Sequence, residues 1–167
     1  VRLDTHVVKL IAPRRSGVTI ASEKMSEQPS AKILVVEDNE ADVRLIQEAI
    51  RECYPRPVEL TSVENGHQAL ALLNGGAQFD LIVLDLNLPR LDGYEFLKLR
   101  PAVAIPVVVF SSSWNEDDSR RAVALGAREF IRKPSSYAEY VEKVCGFIGK
   151  WSGPKSQQQG SRSSEQR

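Results

Sequence analysis

Short apolar runs rich in β-branched residues recur through the middle of the chain, and each is followed by a segment of helical periodicity. Ile33-Leu34-Val35-Val36 and Leu81-Ile82-Val83-Leu84 have no polar alternation, the mark of strands buried on both faces. Pro106 to Phe110 is a similar run with proline at its start, where a missing N–H is tolerated. Val58 to Val63 and the short Glu129 to Arg132 complete a set of five predicted strands. Between them, Val43, Ile46 and Ile50 recur at helical spacing after a capping Asn39, up to Cys53, and Pro55 and Pro57 close the segment. Further helices are predicted over Gly66 to Asn74, closed by Gly75-Gly76, over Gly93 to Leu99, stopped before Pro101, and over Glu116 to Leu125, ended by Gly126. The last runs from Ser135 to Trp151, with Ser135 or Ser136 as cap and Val141, Val144, Cys145 and Ile148 as its apolar stripe.

Five strands alternating with five helices predict an α/β fold: a doubly wound parallel sheet with helices on both faces. In such sheets ligands bind beyond the carboxyl ends of the strands, where the winding reverses. The functional residues are therefore expected immediately after the strand runs.

The ends of the chain read differently. Residues 1–30 have no sustained strand or helix period and are expected to be disordered or a mis-assigned extension. Val7 to Ala12 is too short, and too broken by Lys9, for a signal-peptide core. The only methionine is Met25, and a start there is the preferred reading; the other is an upstream start with Val1 written for an alternative codon. Residues 31–151 form the folded domain, and the Ser-, Gln- and Gly-rich residues 152–167 cannot bury enough apolar area to order themselves.

Composition narrows the function classes. Lys+Arg and Asp+Glu both total 22, so no global basic field exists to hold a nucleic acid. No apolar run is long enough to span a membrane. Cys53 and Cys145 are far apart without C-x-x-C spacing, so neither a disulfide framework nor a zinc site is expected, and a reducing cytoplasm fits best.

The residues at the strand ends carry the chemistry. Glu37 and Asp38 follow the first apolar run, Asp85 the third, with Asn87 and Pro89 beyond it. Ser111 follows the fourth, and Lys133 the fifth. Each taken singly has an ordinary explanation as a solvated loop, a helix cap or a turn. Together, at successive strand ends, they bring three carboxylates, a hydroxyl and an amine to one edge. Three neighbouring carboxylates raise one another's pKa unless a cation joins them, and Mg²⁺ suits a site of few carboxylates plus water and phosphate. Asp85, directly after its strand, can act as a nucleophile and form an aspartyl phosphate. Mg²⁺, the Ser111 hydroxyl and the Lys133 ammonium would then each neutralise one phosphoryl oxygen.

These segments resemble the response-regulator receiver family of two-component signalling. The resemblance rests on Ile33-Leu-Val-Val-Glu-Asp-Asn39, Leu81-Ile-Val-Leu-Asp-Leu-Asn-Leu-Pro89, Asp92-Gly93, Pro106-Val-Val-Val-Phe-Ser-Ser112, Gly126-Ala127 and Phe130-Ile-Arg-Lys-Pro134, and extends over residues 31–150. It implies a flavodoxin-like sheet of strand order 2-1-3-4-5. By the same resemblance Asp85 is the phosphoacceptor, Glu37 and Asp38 belong to the Mg²⁺ pocket, and Asn87 offers its backbone carbonyl to the metal. Ser111 is implied as the switch hydroxyl, Lys133 as the phosphate-contacting lysine and Phe130 as the aromatic switch. Phosphorylation would draw Ser111 inward, let Phe130 swing from exposed to buried, and reshape the face of the last two helices and the last strand. The implied partners are a sensor histidine kinase or phosphotransfer protein and an unnamed downstream protein, with neither nucleic acid nor membrane; the same face could pair two chains. The chain is expected to catalyse its own phosphorylation and dephosphorylation, and it also looks similar to the stand-alone regulators that partner bacterial phytochromes.

Phe130 lacks the hydroxyl of the tyrosine frequent in the family, Ser111 replaces the commoner threonine, and Leu97 to Ile105 is several residues shorter than usual. These departures keep open a receiver-fold interaction module that signals without phosphorylation. A phosphotransferase-type hydrolase would want an aspartate two residues beyond Asp85 as acid/base, and Asn87 cannot serve.

Overall fold

The computed structural model describes residues 5–10, 31–102, 104–113 and 115–152. Among these, six strands form one sheet in the order β1-β3-β2-β4-β5-β6. The strands are β1 (His6–Leu10), β2 (Ala31–Val36), β3 (Val58–Val63), β4 (Leu81–Leu84), β5 (Val107–Ser111) and β6 (Glu129–Arg132). The helices are α1 (Glu40–Cys53), α2 (Gly66–Asn74), α3 (Gly93–Leu99), α4 (Glu116–Ala124) and α5 (Tyr137–Trp151). β3-β2-β4-β5-β6 are all parallel, so five of the strands reproduce the expected doubly wound order.

The uninterrupted apolar runs have the predicted consequence. Alternate residues of each central strand feed opposite cores. Ile33 and Val35 of β2 pack under α1 and α5, with Ile46, Ile50, Val144 and Phe147. Leu34 and Val36 pack on the other face with Ala69 of α2, Phe96 of α3 and Ala122 of α4. Side-chain caps fix where the helices start: Asn39 accepts from the Ala41 N–H, Asp92 from Glu95 and Ser136 from Glu139. Ser136 rather than Ser135 is therefore the α5 cap. α3 is one short seven-residue helix, in keeping with the brevity of the sequence there.

Three expectations need correction. Residues 1–30 are not without structure throughout, because His6–Leu10 forms β1, antiparallel to β3 with His6 opposite Ser62 and Leu10 opposite Val58. Its sequence signal is weak: Val8 and Leu10 pack against the α1 core while Val7 and Lys9 are exposed, an alternation too short to stand out. The partner that makes it a strand is the otherwise open edge of β3, which only the fold supplies. Secondly, Cys53 and Cys145 are joined in a disulfide, 92 residues apart in sequence with Cα atoms 6.0 Å apart. α1 and α5 cover the same face of the sheet, so sequence distance was no guide to spatial distance. Thirdly, the folded part runs one residue further than residue 151: Ser152 is buried, and its hydroxyl donates to the Ile148 carbonyl at 2.6 Å. The remaining expected tails, residues 1–4, 11–30 and 153–167, lie outside the described residues.

Candidate functional site at the carboxyl edge of the sheet

The polar residues after β2, β4 and β6, and Ser111 at the end of β5, meet at one edge, as parallel pairing requires. Glu37 continues β2 and donates its N–H to the Val63 carbonyl, and the Asp85 N–H bonds the Val36 carbonyl at 3.0 Å. The two acidic residues are thus held by the ladder itself, and both are buried, at 4% and 7% exposure. The Lys133 N–H bonds the Ser111 carbonyl at 2.9 Å, which fixes the start of the loop into α5.

Lys133 organises the centre. Its ammonium lies 2.6 Å from Glu37 Oε2, 2.6 Å from Asp42 Oδ2 and 3.3 Å from Asp85 Oδ2. Burial works against the charged ammonium, but Asp85, Glu37 and Asp42 outweigh it and hold the Lys133 pKa above its usual range. Burial also dominates at Glu37, whose pKa is raised to about 7 although Lys133 pulls the other way. One ammonium therefore faces three carboxylates, and negative charge is left over.

Asp42 was not singled out in the sequence. It sits in the first turn of α1, where an acidic side chain ordinarily serves the helix N-terminus. Its position three residues after the Asn39 cap suggested only that role; its use as a ligand for Lys133 depends on β6 lying across the sheet.

The other expected residues are placed less centrally. Asp38 is exposed, makes no ion pair among the described residues, and lines a cavity of about 250 Å³ with Glu37 and Glu64. Asn87 is exposed, and its N–H approaches Asp85 Oδ1 at 3.3 Å. Ser111 is fully buried, at 0% exposure, and its hydroxyl has no hydrogen-bond partner among the described residues. Phe130 is half-buried and packs on the α2–α4 core, two β5–β6 register steps from Ser111's partner Arg132. Beside Lys133 an open cleft of about 780 Å³ is lined by Asp42, Ser112, Pro134, Tyr137 and Tyr140.

Among the described residues no three of His, Cys, Asp and Glu are arranged to hold a metal ion. The donor chemistry nevertheless fits a hard divalent cation. The oxygens are carboxylate, the ammonium shows that a cation is held between them, and the excess of negative charge persists after it is counted.

A doubly wound parallel sheet with a buried aspartate, a second carboxylate and a lysine at its carboxyl edge defines a class of α/β proteins whose ligand site lies beyond the strand ends. Within that class, the model of the response regulator receiver domain matches residues 33–145. The chain belongs to the response-regulator receiver family and works in two-component signal transduction. It is similar to the response regulator Rcp1 of Synechocystis sp., at 35% identity over 133 residues, covering 74% of this chain and 90% of that one. The structure of the phosphorylated cyanobacterial phytochrome response regulator RcpA aligns with a TM-score of 0.67 at 41% identity, over 74% of this chain and 94% of that one. The structure of Rcp1 in its Mn²⁺-bound form aligns with a TM-score of 0.65 at 35% identity, over 73% and 94%.

Proposed function

We propose that Asp85 accepts a phosphoryl group from a phosphohistidine of a sensor kinase or phosphotransfer protein, and that the chain signals through the resulting change in its surface. The observation that carries this reading is the Lys133 ammonium held among Glu37, Asp42 and Asp85 at the carboxyl edge of the sheet. An Asp85 oxygen attacks phosphorus, the P–N bond to the donor imidazole breaks, and the imidazole takes a proton from solvent. The aspartyl phosphate that forms brings new negative charge beside Lys133, whose ammonium is already in place to meet it. The open cleft next to Lys133 gives a donor side chain a way in.

Glu37, Asp38, Asp85 and the Asn87 carbonyl are the groups proposed to hold Mg²⁺. Bound there, the ion supplies positive charge to the carboxylates and to the phosphoryl oxygens. Ser111 is the proposed switch: a buried hydroxyl without a partner has a reason to turn toward a phosphoryl oxygen. Phe130 is proposed to follow it inward, altering the face of α4, β6 and α5. That face carries the exposed Val123 and is where a downstream protein or a second copy would read the change. Self-catalysed loss of the phosphate needs water beside Asp85, and the exposed Asn87 leaves room for it. The cytoplasm, where kinase and receiver meet, is the proposed location.

The test uses the full chain with Mg²⁺ and acetyl phosphate, read by mobility on a phosphate-affinity gel. Wild type is expected to shift and Asp85→Asn to stay in place; an Asp85→Asn protein that shifts as wild type does would remove Asp85 from the role.

A further inference from the structure

The Cys53–Cys145 bond lies outside the phosphate site, and nothing in that chemistry uses it. The two are the chain's only cysteines. Cys53 ends α1 and is exposed, while Cys145 lies in α5 and is half-buried. A thiolate from solution can therefore reach one sulfur of the bond, which is the requirement for exchange.

The bond is also redundant for holding α1 on α5. Val43, Ile46, Ala49 and Ile50 of α1 share a core with Tyr140, Val144, Phe147 and Ile148 of α5. Tyr137 donates to Glu52 at 2.6 Å, and Tyr54 meets the Ser152 hydroxyl at 3.1 Å. With the bridge open, the apolar seam and these hydrogen bonds still join the helices. A bridge that is reachable and dispensable has, in the cytoplasm proposed for this chain, the character of a redox-sensing pair rather than a permanent staple.

Its position gives it a consequence. Asp42 near the start of α1 grips Lys133, and three residues beyond Lys133 the Ser136 cap begins α5. A turn of Lys133 from Asp42 to a phosphoryl oxygen would release this tie and leave the start of α5 free to shift relative to α1. A covalent tie between the two helices opposes that shift.

We propose that Cys53 and Cys145 form a second covalent modification site, a dithiol–disulfide pair exchanged with low-molecular-weight thiols and disulfides, whose oxidised form restrains the movement of α5 that accompanies occupation of the Asp85 site. One protein thiolate attacks a small disulfide and releases a small thiolate. The second protein thiolate then attacks the mixed disulfide and releases another. The protein loses two protons and two electrons, the small disulfide becomes two thiols, and the protons pass through solvent to the departing thiolates. The coupling half rests on the proposed phosphate site; the exchange half does not.

The full-length protein is equilibrated in glutathione buffers of varied ratio, free thiols are trapped by alkylation, and the products are weighed intact. An intramolecular bridge is expected to open and close reversibly in the folded protein and to be absent from Cys53→Ser and Cys145→Ser. Cysteines that stay free in oxidised glutathione would overturn the site, and so would a bridge that opens only on unfolding. Beryllofluoride with Mg²⁺ is then titrated into both redox forms. The oxidised form is expected to bind severalfold more weakly, with the difference gone in Cys53→Ser; equal affinities would overturn the coupling. If neither form bound beryllofluoride, the coupling and the proposed phosphate site would fall together, while the exchange result would still decide the thiol site by itself.

Discussion

Gly93 begins α3 against the backbone of the residue at the centre of the site. A Cβ there would lie 2.6 Å from the Asp85 carbonyl oxygen and 2.7 Å from Leu86 Cα, and backbone cannot yield as a flexible side chain can. Gly93→Ala is expected to cost about 1–3 kcal/mol in urea unfolding. Because the displaced segment carries Asp85, it should also weaken beryllofluoride binding. Gly146 in α5 faces open space, so Gly146→Ala should leave binding intact and gain roughly 1 kcal/mol of helix propensity. Glu37 makes a prediction of a different kind. Its pKa is raised by burial to about 7 in the fold, against 4.5 for an unperturbed glutamate. Between those values the folded state binds more protons than the unfolded state, so this residue's contribution to stability falls as pH rises through that window. In metal-free buffer the Glu37 carboxyl carbon should titrate near 7 by NMR. Stability should fall more steeply across the window in wild type than in Glu37→Gln; equal slopes would count against it.

At the scale of elements, β1 is the strand whose presence the chain least advertised. It covers the edge of β3 and puts Leu10, at 2% exposure, into the core beneath α1. Leu10→Ala should therefore cost about 2 kcal/mol or more, as a core leucine does, although the residue lies outside the matched family segment. The measurement is thermal or urea unfolding, with hydrogen exchange of the β3 amides rising in parallel. A chain beginning at Met25 should keep the parallel sheet and its site while losing this edge protection. Indifference of both stability and β3 exchange to Leu10→Ala would mean that β1 does not pair in solution.

For the molecule as a whole, ligand at the carboxyl edge and stability of the sheet are one equilibrium. Four strands contribute residues to that edge, so a ligand bound there is lost when the sheet unfolds. Beryllofluoride and Mg²⁺ at a hundredfold excess over the dissociation constant should add about 2.7 kcal/mol to the unfolding free energy. Calorimetry should show a melting temperature several degrees higher in wild type and unchanged in Asp85→Asn; no shift in wild type would disconnect the site from its ligand.

The sequence by itself determined the layered α/β fold, because short β-branched apolar runs alternating with segments of helical period mark strands buried on both faces of a parallel sheet. It placed Glu37, Asp85, Ser111 and Lys133 for the same reason: in a parallel sheet, the residue that ends or follows each strand must lie at the carboxyl edge. The Asn39 cap was legible too, and the α5 cap was narrowed to Ser135 or Ser136, since a short polar side chain ahead of a helical period acts locally. Only the tertiary structure decided what depends on neighbours distant in the chain. It recruited Asp42 to Lys133, left Asp38 exposed, turned five weakly patterned residues into β1 and brought Cys53 to Cys145. In each case the deciding partner comes from another part of the sequence, so no local pattern could announce it. Asp85 thus followed from its company at the other strand ends, while the grip of Asp42 on Lys133, and the thiol pair proposed to modulate the site, came from the way α1, β6 and α5 pack together.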